Sequence, residues 1–441
     1  MTLIINADRL LSELHHLATL TDCPPTTDTL LPAPTQAVTR IVFTPRDLEA
    51  RAWLLSLAQA AGFTTRVDPI GNTYIRWQGS DPDLGVVGTG SHTDAIPHAG
   101  MYDGTVGVLG GLEAMRALKE SGFIPKRTLE LLMLTSEEPT RFGIGCLGSR
   151  LLGGVLDPDT TDALPDRLPE TDPTATTGLT LHDARIAAGF NGPLTEVTLP
   201  IGYYHAWVEL HIEQGPLLER AGVPLGIVTN IAAPASYRFT VEGFGGHAGA
   251  LLMPDRRDAL CAASELILSI ERHTLAANAE AKLTGESGVD SVATVGSMQI
   301  HPGNVNSVPS RVTLMLDIRD TDPERREHTM SAVRADIAEL QSRRGVRITE
   351  ERINADTPAI SGEHIVNTLS AICEAEHVPY LKMVSRAYHD STFMARIAPI
   401  AMLFIPCRDG VSHRPDEYST PESIALGTRI LALTLAQLAN E

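Results

Sequence analysis

Cysteine is scarce in this chain: five residues, Cys23, Cys146, Cys261, Cys373 and Cys407, are scattered along 441 positions and none belongs to a C-x-x-C pair. An odd number at such spacing argues against a disulfide framework and against a thiolate zinc site, and leaves ordinary free thiols. Positive charge is short as well. With 35 Lys and Arg against 54 Asp and Glu, the formal net charge is -19, the wrong sign for a partner that must be met with clustered cations, so nucleic acid is excluded and a small molecule is expected. No stretch approaches the ~18 consecutive apolar residues of a membrane span. The first twenty residues, MTLIINADRLLSELHHLATL, lack the basic start and long apolar core of a leader peptide, and Leu10, Leu14 and Leu17 recur there at helical spacing. A cytoplasmic protein without membrane association is the expectation.

What is present is enough apolar material, 43% of residues, to fill the cores of two or three domains. From about residue 45 strand-like and helix-like segments alternate, which indicates an α/β architecture with a mixed, mostly parallel sheet. LGVVGTG leads to Ser91 and His92; a helical pattern follows with Val108, Leu112, Met115 and Leu118 on one face; TLELLMLT then delivers Ser136, Glu137 and Glu138. Residues 157–173, rich in Pro, Asp and Thr, read as an irregular connection. In AWVELHI the alternation places Val208, Leu210 and Ile212 on one face and Trp207, Glu209 and His211 on the other. Between 229 and 352 the order becomes βαββαβ, a ferredoxin-like unit inserted into the larger domain. The expected division is therefore 1–228, the first part of the catalytic domain; 229–352, the insertion; and 353–441, the second part.

Polar residues gather where such sheets bind ligands, beyond the carboxyl ends of the strands. In SHTDAIPHAGMYDG, His92 and Asp94 are two apart, so on an extended segment a carboxylate can hold the second nitrogen of a metal-binding imidazole. Asp103 follows on a Gly-flanked loop. Glu137 and Glu138 are adjacent, and adjacent side chains diverge, so the pair is suited to two tasks. His211 ends another strand and His413, in GVSHRPDEY, follows the last one. His92, Asp103, Glu138, His211 and His413 together make three imidazoles and two carboxylates, a donor set for a borderline divalent ion such as Zn, Mn, Ni or Co. Five ligands are better explained by two ions about 3.5–4 Å apart that share a bridging carboxylate than by one.

The motifs GSHTD, YDGTVGVLGGLEAMRAL, TSEEPTRFG, LHIEQGPLLE, GGHAGA, NVNSVPS, DIR, YHDSTFMA and SHRPDE, taken in order over nearly the whole chain, resemble the M20-type binuclear metallohydrolases. The branch is that of the allantoate amidohydrolases, N-carbamoyl-L-amino acid hydrolases and β-ureidopropionases. The histidine of HIEQG separates this branch from related aminopeptidases, which commonly carry aspartate there, and favours ureido and amide substrates. The resemblance implies that Asp103 bridges, that His92 and His211 bind one ion and Glu138 and His413 the other, with manganese expected and zinc, cobalt or nickel compatible. It makes Glu137 the general base and Asp94 the partner of His92. It assigns His247 to the tetrahedral intermediate and Asn306, Arg319 and Gln214 to the substrate, and it implies that the insertion acts as lid and homodimer contact. Read by themselves, Arg319 is equally a solvated charge and His247 a turn residue.

One segment departs from the wider branch: Ser385-Arg386-Ala387-Tyr388-His389-Asp390-Ser391 stands where many members have small residues, near SGAGHDA. The run SRAYHDSTFMARIAPIAMLFIPCRDGVSHRPDEYSTPE resembles instead the ureidoglycolate amidohydrolase subgroup, whose substrate is smaller than allantoate. Tyr388 in place of Gly would narrow the pocket and add a hydroxyl; the alternative is that it packs in the core with its hydroxyl capped. The resemblance thus implies hydrolysis of the ureido group of (S)-ureidoglycolate, with allantoate or N-carbamoyl amino acids as the alternative substrates.

Overall fold

The computed structural model describes residues 3–24, 31–172, 174–283 and 291–441. They divide into two compact units, Met1–Thr229 with Ile360–Met383 and His389–Glu441, and Asn230–Ala359 with Val384–Tyr388. No helix among the described residues is long and apolar enough to cross a membrane.

The first unit is organised by a nine-stranded mixed sheet. Its middle is parallel: Ile400–Ile405, Tyr204–Ile212, Val86–His92 and Leu129–Leu134 lie side by side, with Phe404 opposite His211 and His92 opposite Leu134. Antiparallel strands Thr73–Trp77 and Thr64–Val67 extend it on one side, and Leu225–Ile231 pairs antiparallel with Ile400–Ile405 on the other. Three of the four central strands are buried along their whole length and the fourth, Tyr204–Ile212, at all but one residue. Covered on both faces, such strands need near-continuous apolar runs such as IAMLFI and LELLML. For the same reason the alternation read in AWVELHI does not separate a wet face from a dry one: Glu209 and His211 are buried along with Val208 and Leu210.

The helix Thr105–Glu120 carries Val108, Leu112, Met115 and Leu118 into the core as expected, yet Glu113 and Arg116 on its opposite face are buried too. The helix Ala7–Thr19, which buries Leu10, Leu14 and Leu17, covers that face. The two are tied by ion pairs, Arg9 to Glu113 at 2.7 Å and Arg116 to Glu13 at 2.8 Å. The final helix, Pro421–Ala439, packs beside Thr105–Glu120 over the same strands. Residues 157–172 are not irregular throughout: Pro158–Asp162 and Leu168–Thr171 are short helices. Asp157 caps the first by accepting from the Thr160 N–H, and Pro158 is favourable in the first turn.

The second unit is a four-stranded antiparallel sheet in the order Val292–His301, Arg311–Asp320, Ala233–Glu242, Arg347–Ala355. The helices Ala259–Leu283 and Pro323–Arg344 pack against it, which gives the order βαββαβ. On the central strand Val312, Leu314, Leu316 and Ile318 are buried and Thr313, Met315, Asp317 and Arg319 face the other way. The unit runs past residue 352 because Arg347–Ala355 stays paired with Ala233–Glu242 as far as Ala355 opposite Ala235. The chain also returns to it at Val384–Tyr388, so Tyr388 belongs to this unit and not to the 353–441 portion of the catalytic domain.

Close approach of helix to strand positions the site. A Cβ on Gly107 would lie 2.5 Å from the carbonyl oxygen of Leu210, next to His211. Gly107→Ala is therefore expected to lower stability by about 1–3 kcal/mol, read as a fall in melting temperature. An unchanged transition would show that the helix is not held this close to the strand.

Candidate active site and metal centre

The parallel register brings three strand ends level and places the donors there. His92 is the last residue of Val86–His92, His211 the penultimate residue of Tyr204–Ile212, and Glu137 and Glu138 follow Leu129–Leu134. His413 lies in the loop after Ile400–Ile405, and Asp103 just precedes the helix Thr105–Glu120. Gly104 takes a left-handed backbone, φ 66°, and a Cβ there would sit 2.5 Å from the His92 imidazole. Only glycine lets the chain pass this close to the ring.

All five sequence-selected donors converge. Asp103 Oδ1 lies 3.1 Å from His211 Nε2 and 3.7 Å from His92 Nε2, while its Oδ2 lies 3.2 Å from His413 Nε2. His413 Nε2 is also 3.2 Å from Glu138 Oε1. The ligand atoms of His92, Asp103 and His211 lie within 4.8 Å of one another, as do those of Asp103, Glu138 and His413. One carboxylate thus presents a different oxygen to each half. The imidazoles are set for ligation: Nδ1 of His92 is 3.0 Å from the Asp94 carbonyl and Nδ1 of His211 is 2.9 Å from the Ile212 carbonyl. With Nδ1–H donated to a carbonyl, Nε2 is the nitrogen turned to the cluster, where it would bind a cation once deprotonated. This donor set fits two divalent cations.

The geometry differs from expectation at Asp94. Its carboxylate is 3.9 Å from His92 Nδ1 and instead accepts from the backbone N–H groups of Glu137 and Glu138, at 3.3 and 3.0 Å. It is the Asp94 carbonyl that orients His92. The carboxylate turns away because Ser136, at φ 58°, swings the following two N–H groups toward it. That bend also separates the two glutamates: Glu138 reaches His413, while Glu137 Oε2 stays 3.9 Å from His92 Nε2.

Gln214, at φ 55°, donates from Nε2 to Asp103 Oδ2 at 2.7 Å, and its buried Oε1 has no partner among the described residues. Ser412 donates to the same Asp103 oxygen at 2.9 Å. Glu417 accepts from the N–H groups of Tyr102 and Asp103 at 2.8 and 3.0 Å, fixing the backbone at Asp103. Beneath the donors, Glu209 accepts from the hydroxyls of Ser91 and Ser391, at 2.8 and 2.5 Å, and the His389 ring meets the His211 ring edge to face at 4.6 Å. Asp390 accepts from Ser149 at 2.5 Å. Sequence reasoning missed these supports. Only Glu209 left a signal, sharing a strand face with His211; Ser412 and Glu417 meet Asp103 across more than three hundred residues.

His247, Asn306, Arg319 and Tyr388 all lie in the second unit. The strands Gly246–His247 and Ser307–Val308 pair, and the Ala248 N–H donates to the Asn306 carbonyl at 2.9 Å, which brings His247 and Asn306 onto neighbouring turns. Arg319 is paired with Asp317 at 2.8 Å. The Tyr388 hydroxyl donates to Asp356 at 2.7 Å.

Electrostatics mark the first cluster as a cation site. Burial works against ionisation of Asp103, but hydrogen bonds from His211, His413 and His92 prevail and hold its carboxyl well below the usual range. Hydrogen bonds to Asp103 and Glu138 push His413 up to about 11. Burial, with Glu138, Asp390 and Asp103 nearby, raises Glu137 well above an ordinary glutamate despite the opposing pull of His92.

Comparison with known proteins shows the family. The model of peptidase family M20/M25/M40 matches residues 88–437. The chain belongs to that family. It is 45% identical over 439 residues to the ureidoglycolate hydrolase of Oryza sativa subsp. japonica, covering 98% of this chain and 85% of the relative. It is also similar to the crystal structures of AtUAH in complex with glyoxylate and with (S)-hydroxyglycine. Each is 42% identical with a TM-score of 0.82, covering 99% of this chain and 98% of the other.

Imidazole and carboxylate donors bind a cation only when deprotonated, so protons and metal compete for this site. Binding of Mn2+ or Zn2+ at pH 7 is expected to release protons, and apparent affinity to weaken as pH falls. Titration calorimetry in buffers of different ionisation enthalpy measures this; a buffer-independent heat would contradict it.

Proposed function

We propose that this M20-family hydrolase cleaves the terminal ureido C–N bond of (S)-ureidoglycolate, releasing ammonia and CO2 and ending at glyoxylate. It acts on a carbon–nitrogen bond that is not a peptide bond. The observation that carries the reading is near-full-length similarity, at 42–45% identity, to ureidoglycolate hydrolases and to AtUAH with glyoxylate or (S)-hydroxyglycine bound, in a chain whose own donor set is complete.

His92, Asp103 and His211 would hold one divalent cation and Asp103, Glu138 and His413 the other; manganese is the expected ion, and when bound the pair supplies Lewis acidity and lowers the pKa of water. Glu137, in reach of the cluster yet outside both ligand groups, takes the proton of the attacking water on Oε2. Attack on the ureido carbon gives a tetrahedral oxyanion, for which His247 is the proposed donor. Glu137 returns the proton to the departing nitrogen, which leaves as ammonia. The carbamate loses CO2, and the resulting hydroxyglycine eliminates a further ammonia to give glyoxylate. Arg319 with Asn306 holds the substrate carboxylate, since a guanidinium fork suits it bidentately, and Gln214 Oε1 is free to accept a ureido N–H. Asp94 acts by fixing the backbone of Glu137 and Glu138. Tyr388 belongs to the selectivity for a small substrate. A homodimer through the second unit and a cytoplasmic location complete the reading.

A panel assay for ammonia and glyoxylate is expected to show turnover of ureidoglycolate well above allantoate and N-carbamoyl amino acids. Turnover of the latter two without ureidoglycolate would overturn the assignment, and unchanged selectivity in Tyr388→Gly would remove Tyr388 from it. Glu137→Gln should keep both metals while kcat falls by about a hundred- to ten-thousand-fold; metal content by atomic absorption, measured beside the rate, separates loss of the base from loss of the site.

A further inference from the structure

The loop from Glu137 to Cys146 returns to its own starting point. The Cys146 N–H donates to the Glu137 carbonyl at 2.7 Å, Leu147 N–H to Ser136 at 2.9 Å and Gly148 N–H to Thr135 at 2.9 Å. Gly145 permits this closure, because a Cβ there would lie 2.7 Å from the Glu137 carbonyl oxygen. Cys146 itself takes a left-handed backbone, φ 57°, and occupies the N-cap of the helix Leu147–Leu152 without making a capping bond through its side chain. A Ser, Asn or Asp would ordinarily fill such a position. The thiol is instead turned to Glu137: Sγ donates to Oε1 at 3.3 Å, and the residue is fully buried. The other carboxylate oxygen, Oε2, is the one nearest His92 Nε2. The helix that carries the thiol is itself tethered, through Ser149, to Asp390.

We infer that Cys146 is a positioning residue for Glu137: its thiol anchors Oε1 and thereby turns Oε2 toward the donor cluster. The inference rests on the reading of Glu137 as general base. The S–H, a weak donor, fixes the orientation of the carboxylate through a single oxygen. Complete burial also keeps the thiol from competing chemistry.

The test compares Cys146→Ala, Cys146→Ser and Glu137→Gln in the metal-loaded enzyme, reading kcat, KM, metal content and melting temperature. Cys146→Ala should lower kcat about fivefold, the effect of losing one weak hydrogen bond in the transition state, with KM and metal content unchanged and a modest fall in melting temperature from the space the sulfur vacates. Cys146→Ser, which restores a donor at the same place, should recover most of the loss. If Glu137→Gln is inactive while Cys146→Ala turns over like the parent, the base stands and the positioning role is overturned. Equal losses in Cys146→Ala and Cys146→Ser would reduce Cys146 to packing and also overturn it. If Glu137→Gln keeps full turnover, Glu137 is not the base and the inference falls with that reading.

Discussion

The two oxygens of Asp103 are the constraint around which the first unit is arranged. One meets His92 and His211 and the other meets His413, so two ligand groups share a single carboxylate. For this to work the residue has to be held on every side. Glu417 fixes its backbone, Gln214 and Ser412 bond one oxygen, and Gly104 turns the chain into the helix Thr105–Glu120. The start of that helix is a favourable place for negative charge, since the positive end of its dipole lies there.

Below this carboxylate lies a layer of buried acids whose hydrogen-bond donors are neutral. Glu209 takes serine hydroxyls, Asp390 takes Ser149, and Asp94 and Glu417 take backbone N–H groups. Burial pushes Asp94 up to about 6 and Asp390 and Glu417 up to about 7. Neutral donors orient these groups and bring no counter-charge, so a cation above the layer would favour their charged form, where charge interactions are weakly screened. Glu209 rides on a central strand, Tyr204–Ile212, that is covered on both faces, and is buried there.

Much of this was legible in the chain. Period and length located the parallel strands, and the strand-end rule placed His92, Glu137, Glu138 and His211 on one edge. The βαββαβ order and the face of Val312, Leu314, Leu316 and Ile318 were visible for the same reason, since alternation has a single meaning in a half-covered sheet. The role of Asp94 was not visible. Its spacing from His92 pointed to the imidazole, but the left-handed turn at Ser136 offered two N–H groups that satisfy the carboxylate better. Nor could spacing show that the chain re-enters the second unit at Val384–Tyr388, which carries Tyr388 to Asp356.

The sequence by itself determined which candidate side chains stand at the strand ends and on which elements they ride, because residue type and hydrophobic period are local properties. Only the tertiary structure decided which atom meets which. The contacts of Gln214 and Ser412 with Asp103, of Cys146 with Glu137 and of Tyr388 with Asp356 depend on backbone turned into the left-handed region at Gln214, Cys146 and His413, or on loops meeting across long separations. A residue's type does not fix its φ, and a hydrogen bond forms only when distance and direction are both right. Such contacts therefore exist only once the sheet has brought the loops together.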